Sequence, residues 1–382
     1  MNLRRLKAVY FRNLKSIILD PAPGLNLLIG DNGHGKTNLL DAIAVGAQLK
    51  PIRPVKHNSD LILFGERESQ IDAEFAGTSP FTVSVHLDLE GKKVRLNNKP
   101  TRDPFALREK IAQVSFVPED LAAVMGSAGL RRRLLDQITA SLYPNYALYY
   151  RQYEKVLLQR NRLLKQPLVD LVELSSFTQV LAQSAHVIEK ARVLALLHIK
   201  SYYEDGVSRL SDAQLTGQLT YLPSSAGDLK ASLEKLKVEE RARKTTLLGP
   251  HLDDLEFSLN GHPARFSASR GQARVLILAL KIAQLRAVFA HRSLSPLLLL
   301  DDVVGELDPD NAFRLLQVVD QLQTQTFITT THLSALPTDW RAGRVFRVQG
   351  GAVSSSIKAD EAQALEAHTS HQTFFYTADG CL

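Results

Sequence analysis

Cysteine is almost absent from this 382-residue chain: there is one, Cys381, and it stands next to the last position. That excludes a disulfide framework and a cysteine-based zinc site, and it fits a reducing compartment. Long apolar runs are missing as well. No stretch approaches the roughly 20 residues needed to span a bilayer. The start, Met1-Asn2-Leu3-Arg4-Arg5-Leu6-Lys7, is basic, but Arg12 and Lys15 break up the next stretch before a signal-peptide core can form. A soluble, cytoplasmic protein with no membrane partner is expected. A strong charge imbalance is also lacking. Lys and Arg number 46 against 40 Asp and Glu, a net +6, which permits nucleic-acid binding without arguing for it. What remains is an ordinary globular composition, 45% hydrophobic and 23% charged, over a length that suits two domains or one split by an insertion.

The first hundred residues read as short strands between turns. Leu3 to Phe11 and Lys15 to Leu19 look like strands, the breaker Asp20-Pro21-Ala22-Pro23-Gly24 comes next, and Leu25-Asn26-Leu27-Leu28-Ile29 has the nearly continuous apolar pattern of a buried strand. A Gly-rich loop then leads into a helix from about Lys36 to Leu49. Alternation between Gln70 and Asn97 predicts an antiparallel sheet with hairpins. From Pro104 to about Glu240 the period is mostly helical. Beyond Gly249-Pro250 a strand (Leu255 to Leu259) returns, then a long amphipathic helix (Gly271 to Phe289). Two more buried strands come after it, Leu297-Leu298-Leu299-Leu300 and Thr326-Phe327-Ile328-Thr329-Thr330. The reading is an α/β domain, residues 1–103 and 245–358, interrupted by a mainly helical lobe, 104–244; the tail 359–382 is polar and aperiodic and receives no function.

Gly30-Asp31-Asn32-Gly33-His34-Gly35-Lys36-Thr37 fits the phosphate-loop pattern G-x-x-x-x-G-K-[ST], placed between a predicted strand and a predicted helix. Its glycines let successive amide N–H groups converge on an anion, and the next helix presents its positive end to the same place. Lys36 reaches β- and γ-phosphates and the Thr37 hydroxyl ligates Mg²⁺, so ATP with Mg²⁺ is the expected ligand. Downstream, the Leu297–Leu300 strand ends in Asp301-Asp302. Asp301 is assigned to the metal and Asp302 to orienting or deprotonating an attacking water. Without the phosphate loop, such a pair would pass for a solvated strand end.

Ser269-Arg270-Gly271-Gln272 opens the amphipathic helix 29 residues before Asp301 when counted from Gln272, a βαβ-crossover length. Ser269 alone reads as a plain N-cap. Ahead of the double-Asp strand, however, Ser-x-Gly-Gln resembles the signature of ABC-type ATPases. That resemblance implies that Ser269 and Gln272 serve the γ-phosphate of a nucleotide held by another subunit. It also places Gly305-Glu306-Leu307-Asp308 as the D-loop and His332 as a γ-phosphate sensor, although His332 reads equally as a surface histidine. One phosphate loop and one signature per chain then imply a head-to-tail homodimer closed by ATP. The expected fold is an ABC-type ATPase head, a phosphate-loop sheet with an antiparallel β subdomain, plus an inserted mainly helical lobe.

The 233 positions from Lys36 to Ser269 exceed the spacing of a transporter nucleotide-binding domain and fall far short of a coiled-coil SMC protein. At this spacing the chain resembles the RecF family of SMC-like ATPases, colinearly from about residue 1 to 357. The residues that carry the resemblance begin with Phe11-Arg12-Asn13-Leu14, the phosphate loop with Asn38, Pro118-Glu119-Asp120-Leu121, Gly126-Ser127 and Arg131-Arg132-Arg133-Leu134-Leu135-Asp136. They continue with Gln159-Arg160-Asn161, Leu247-Leu248-Gly249-Pro250-His251-Leu252-Asp253-Asp254-Leu255, Ser269-Arg270-Gly271-Gln272 and Leu300-Asp301-Asp302. Ala128 replaces a usual proline, and no Gln-loop glutamine stands out. The resemblance implies a recombination mediator that binds gapped or junction DNA, double- and single-stranded, and helps load RecA with RecO and RecR. Recombinational repair, replication restart and the SOS response would depend on it, with slow ATP hydrolysis for release, which the short side chain of Asp302 suits. A transporter-type or translation-associated ABC ATPase acting on a protein partner is the alternative.

Charge patterning supports nucleic acid independently. Between Leu130 and Lys165 stand Arg131, Arg132, Arg133, Arg151, Lys155, Arg160, Arg162 and Lys165 against only Asp136 and Glu154, a local +6 equal to that of the whole chain. Such a cluster suits phosphate-backbone contacts without sequence specificity, or else a solvated helix face. Tyr143, Tyr146, Tyr149, Tyr150 and Tyr153 among them read as packing residues rather than base-stacking ones.

Overall fold

In a computed structural model of the chain, residues 1–101, 105–211, 213–225, 227–303, 305, 307–331 and 343–356 are described. They divide into two compact units, Met1–Pro118 with Ser293–Leu382, and Glu119–Arg292. In chain order the first unit opens with β1 (Asn2–Phe11), β2 (Leu14–Leu19), β3 (Leu25–Ile29), α1 (Lys36–Gln48), β4 (Glu68–Ala76), β5 (Phe81–Asp88), β6 (Lys92–Leu96), β7 (Lys99–Thr101), α2 (Phe105–Lys110) and β8 (Gln113–Phe116). The second unit contains α3 (Ala122–Met125), α4 (Ala128–Leu142), α5 (Tyr146–Leu164), α6 (Leu171–Leu210), β9 (Gly217–Leu222), α7 (Leu229–Lys235), α8 (Lys237–Arg243), β10 (Asp254–Leu259), β11 (His262–Pro263), α9 (Ala264–Ser267) and α10 (Arg270–Arg292). The chain returns to the first unit with β12 (Leu297–Leu300), α11 (Pro309–Gln321), β13 (Thr326–Thr330), β14 (Arg344–Gln349) and β15 (Ala352–Ser356).

Two six-stranded sheets make the first unit. One is antiparallel, in the order β2-β1-β4-β5-β6-β7; the other runs β15-β14-β3-β13-β12-β8 and is parallel except for β15 at its edge. Alternation builds the first sheet. Leu3, Leu6, Ala8 and Phe11 of β1 and Val83, Val85 and Leu87 of β5 point inward, while the intervening residues face water. The inner parallel strands β3, β12 and β13 are instead buried on both faces; β12 is an unbroken apolar run, while β3 carries Asn26 and β13 carries three threonines among its buried residues. Helix α1 contacts strands of both sheets, so it is buried on nearly every side from Leu39 to Ala47. Gly46 is the point of closest approach: a Cβ there would come within 2.9 Å of the Ala73 methyl on β4. Each fully buried leucine or phenylalanine of this core contributes about 1.5–3 kcal/mol.

The second unit is helical apart from the β11-β10-β9 sheet. Its interior holds charges in pairs. The Arg192 guanidinium, fully buried, lies 2.8 Å from both Asp136 and Asp253. Tyr146 and Tyr221 donate their hydroxyls to those same carboxylates. Arg160 on α5 bonds Glu240 at 2.6 Å and the hydroxyls of Thr246 and Thr178. A buried ion pair is held together rather than strongly stabilising, but removing one member strands the other. These pairs therefore fix the segment Thr246–Asp254 against α5 and α6.

Glu189 on α6 belongs to this region, and its Oε1 is buried with no hydrogen-bond partner. Burial, then the neighbouring Asp253, pushes its pKa up to about 7 from an ordinary value of 4.5. With the folded value the higher, its contribution to stability is whole below about pH 4.5 and lost as pH rises through 7. Glu189→Gln is expected to flatten that decline. Allowing for screening of the partly exposed side chain, the variant should be about 1–2 kcal/mol more stable than its parent near pH 8, measured by urea unfolding across that range.

The observed division differs from the boundaries 103/104 and 244/245 read from the sequence, and two contacts explain why. Strand β8 lies in helical-looking sequence but pairs with β12 in the parallel sheet, which carries the first unit on to Pro118. Helix α10, expected with the ATPase half, packs along α6 and so belongs to the second unit. Strands β7, β9, β11, β14 and β15 are additions to the sequence reading. Of these, β14–β15 has a readable trace: Val345, Phe346 and Val348, then the Gly350-Gly351 turn. No helix among the described residues is long and apolar enough to cross a membrane.

Candidate functional site

Strand order assembles the site. β3 lies between β14 and β13, and β13 beside β12, all parallel, so their C-terminal ends share one edge of the sheet. Ligands of open α/β sheets bind at that edge. The loop from Gly30 leaves β3 there, Asp301 and Asp302 follow β12, and Thr329 is the penultimate residue of β13.

The phosphate loop curls around its own lysine. The Lys36 amine, nearly fully buried, donates to the carbonyls of Gly30 (2.6 Å) and Asp31 (3.0 Å) and to Asn32 Oδ1 (3.4 Å). Burial lowers its pKa, with Asp302, Asp301 and Asp31 opposing. Gly35 sits at φ 108°, and a Cβ on it would meet the Asn13 side chain at 2.7 Å, so only glycine closes this turn. Asn13 Oδ1 in turn accepts from Asn38 at 2.8 Å, which ties the β1–β2 turn to the first turn of α1. His34 is held by the β14–β15 turn: Gly350 N donates to its Nδ1 at 3.2 Å and Gly351 N to its carbonyl at 3.1 Å.

Thr37 and Asp301 meet. The Thr37 hydroxyl lies 2.9 and 3.0 Å from the two Asp301 oxygens, and Thr329 donates to Oδ1 at 2.9 Å. Asp301 is 1% exposed, and burial pushes its pKa up against those hydrogen bonds and the charge of Arg53. The donors gathered here are oxygens, the set a hard cation such as Mg²⁺ takes. Among the described residues no group of three or more His, Cys, Asp or Glu could hold a metal ion. Asp302 occupies the left-handed region at φ 51°, which aspartate tolerates, with its amide donating to Thr329 Oγ1 at 2.8 Å.

Two parts of this arrangement escape the sequence reading. Arg53 places Nη2 3.0 Å from Asp301 Oδ2, and its loop is set by Asp41, whose Oδ1 accepts the Ile52 amide at 2.8 Å while Arg12 pairs with Oδ2 at 2.8 Å. Pro51-Ile52-Arg53-Pro54 matches no motif, so only the fold reveals it. Thr329 reads in the sequence as strand alone.

Ser269, expected to be a signature serine, stands in the other unit, just before α10. Its Oγ accepts from the Gln272 amide at 3.2 Å, and its own amide donates to Gln272 Oε1 at 2.9 Å, a reciprocal capping box. Asp308 caps α11 through the Asn311 amide at 2.9 Å. His332, the D-loop residue Glu306 and the tail 359–382 lie outside the described residues.

Two of the eight expected phosphate contacts need correction. Arg160 is buried against Glu240, and Arg131 forms a two-pronged pair with Asp254, both distances 2.7 Å. Neither guanidinium faces a duplex, because each neutralises a carboxylate that would otherwise be stranded. Arg132 is half-buried and donates to the Asp253 carbonyl at 2.9 Å. Arg133, Arg151, Lys155, Arg162 and Lys165 are exposed. Of the tyrosines, Tyr146 and Tyr153 are core, Tyr143 and Tyr150 pack beside it, and Tyr149 is exposed.

Among known proteins, the RecF/RecN/SMC N-terminal domain family matches residues 2–354. The DNA replication and repair protein RecF of Heliobacterium modesticaldum is 34% identical over 372 residues, 93% of this chain and all of that protein. RecF of Cyanothece is also 34% identical, over 94% of this chain and its own whole length. A solved structure of the recombination mediator RecF with ATP, described as part of the RecFOR pathway, superposes with a TM-score of 0.84 at 28% identity, covering 93% of this chain and 97% of that one. An Smc head bound to the C-terminal winged-helix domain of ScpA shares the fold at a TM-score of 0.56 and 14% identity, over 95% of this chain. The architecture is that of an ABC-type ATPase head.

Proposed function

The chain belongs to the RecF family, and from that premise we propose that it is an ATP-dependent DNA-binding protein of replication and repair whose two copies close on ATP. The observation that carries this reading is the convergence of Lys36, Thr37 and Asp301 at one sheet edge. The Lys36 amine is held where a triphosphate would exchange for the loop carbonyls it now contacts. Thr37 and Asp301 would hold a cation such as Mg²⁺, which when bound would offset the negative charge of the phosphates during transfer. Asp302, turned out at the strand end, orients the attacking water and accepts its proton. Ser269 and Gln272 of a second copy complete the pocket over the γ-phosphate, and His332 senses it. Closure and slow hydrolysis make a two-state element biased by its ligand. In the cytoplasm the closed dimer would sit at gapped or junction DNA and, with RecO and RecR, help load RecA on single strands. Recombinational repair, replication restart and the SOS response draw on that role.

The DNA half rests on the five exposed cations of α4 and α5. Affinity carried by phosphate contacts falls with salt, by a slope of about 0.9 per contact. The double variant Arg151→Ala, Lys155→Ala is expected to weaken binding to every duplex alike and to reduce the salt slope by about 2. Fluorescence anisotropy over a salt series measures it. An unchanged slope would remove α5 from the interface.

A further inference from the structure

The hairpin of α5 and α6 ends in an apolar tip. Leu168 is 90% exposed, Val172 78% and Leu171 45%. Single exposed apolar residues are ordinary, but three within five positions at one turn form a patch. The turn is also well held. Leu163, Leu164 and Leu174 make a small core of their own, with Val169 and Phe177 packed on it. Asp170 caps α6 by accepting from the amides of Val172 and Glu173, and the end of α5 closes through Lys165 N to Arg162 O and Gln166 N to Leu163 O. Pro167 restricts the backbone just before Leu168. A supported hairpin thus presents a bare leucine at a fixed place.

The cations lead to it. Arg151, Lys155, Arg162 and Lys165 recur at helical spacing along one exposed face of α5, with exposed Leu158 in the same line, and the stripe stops three residues short of Leu168. Glu154 on α5 and Glu173 on α6 are the exposed acids nearby, while the Asp170 carboxylate is taken by its cap. A protein partner would suit the apolar tip, but would need an acidic face of its own to match the row of cations running up to it. A nucleic acid suits both.

We propose that the tip is an unstacking wedge, with the α5 stripe tracking a phosphate backbone and Leu168 entering between bases where stacking is already interrupted. This rests on the DNA-binding role. A leucine offers no hydrogen bonds, so it reads no sequence. It is buried favourably only against base faces, and opening an intact step costs more than entering one at a nick, gap or junction. The wedge therefore selects DNA by discontinuity.

The test uses the full chain with ATP and duplexes carrying 2-aminopurine at a gap edge or within intact sequence. The parent is expected to brighten the gap-edge probe and to prefer gapped over intact DNA. Leu168→Ser should lose the brightening and about tenfold of that preference, with intact-duplex affinity and salt slope unchanged, and Leu168→Phe should restore both. The wedge is overturned if Leu168→Ser keeps the preference, if both affinities fall together, or if the variant loses self-association in sedimentation while DNA binding stays. A parent with no salt-dependent DNA binding would sink the DNA-binding role itself and the wedge with it.

Discussion

Lys36→Met is expected to lower ATP affinity by about a hundredfold or more, the scale of a charge-assisted contact to phosphate lost from a desolvated site. The free protein should change little. An uncharged side chain of similar length removes the desolvation cost of the buried ammonium, which offsets the loss of its hydrogen bonds to the part-buried Gly30 and Asp31 carbonyls. Binding of a fluorescent ATP analogue gives the affinity, and thermal melts give the complement. In the parent, ATP raises the melting temperature through mass action; in the variant the melt should be indifferent to ATP at the same concentration. Lys36→Met melting early without nucleotide would instead mark the lysine as structural.

Ser269→Arg should leave nucleotide binding by the monomer within about twofold of the parent while preventing ATP-dependent dimerisation in ultracentrifugation. Because Ser269 shares a capping box with Gln272, the substitution also removes a cap worth about 1 kcal/mol. Ser269→Ala removes the cap and the hydroxyl offered to the γ-phosphate but adds no bulk, so it should dimerise more weakly rather than not at all, and the difference between the two variants reads the bulk and charge of the arginine. If nucleotide binding by the monomer collapsed in Ser269→Arg, the serine would be acting within its own chain.

Much of the ATPase half is legible in the sequence because its physics is local. β3, β12 and β13 are covered on both faces, so β3 and β12 read as apolar runs and β13 as a short β-branched one, and the phosphate loop and Asp301-Asp302 lie at the ends of β3 and β12. The parts that stay hidden depend on distant partners. β8 has only four residues, and although Gln113-Val114-Ser115-Phe116 alternates, the run is too short to stand out beside helical sequence; β12 pairs with it from far along the chain. Arg131 and Arg160 sit in a basic run that looks solvated, yet Asp254 and Glu240 bury them. Charge in sequence shows sign, not exposure. Arg53 is the same lesson in reverse, a residue in an unremarked proline-flanked loop that reaches the Asp301 carboxylate.

Whether two copies share each pocket is settled most directly by mixing the two inactive variants. Lys36→Met retains its signature serine and Ser269→Arg retains its phosphate loop. A mixed pair therefore contains one pocket with both halves intact and one with neither. Phosphate release with gapped DNA should return on mixing to a substantial fraction of the parent rate, although each variant alone is silent. If the mixture stays as inactive as its components while the two chains demonstrably associate, each chain completes its own site and the shared pocket is wrong.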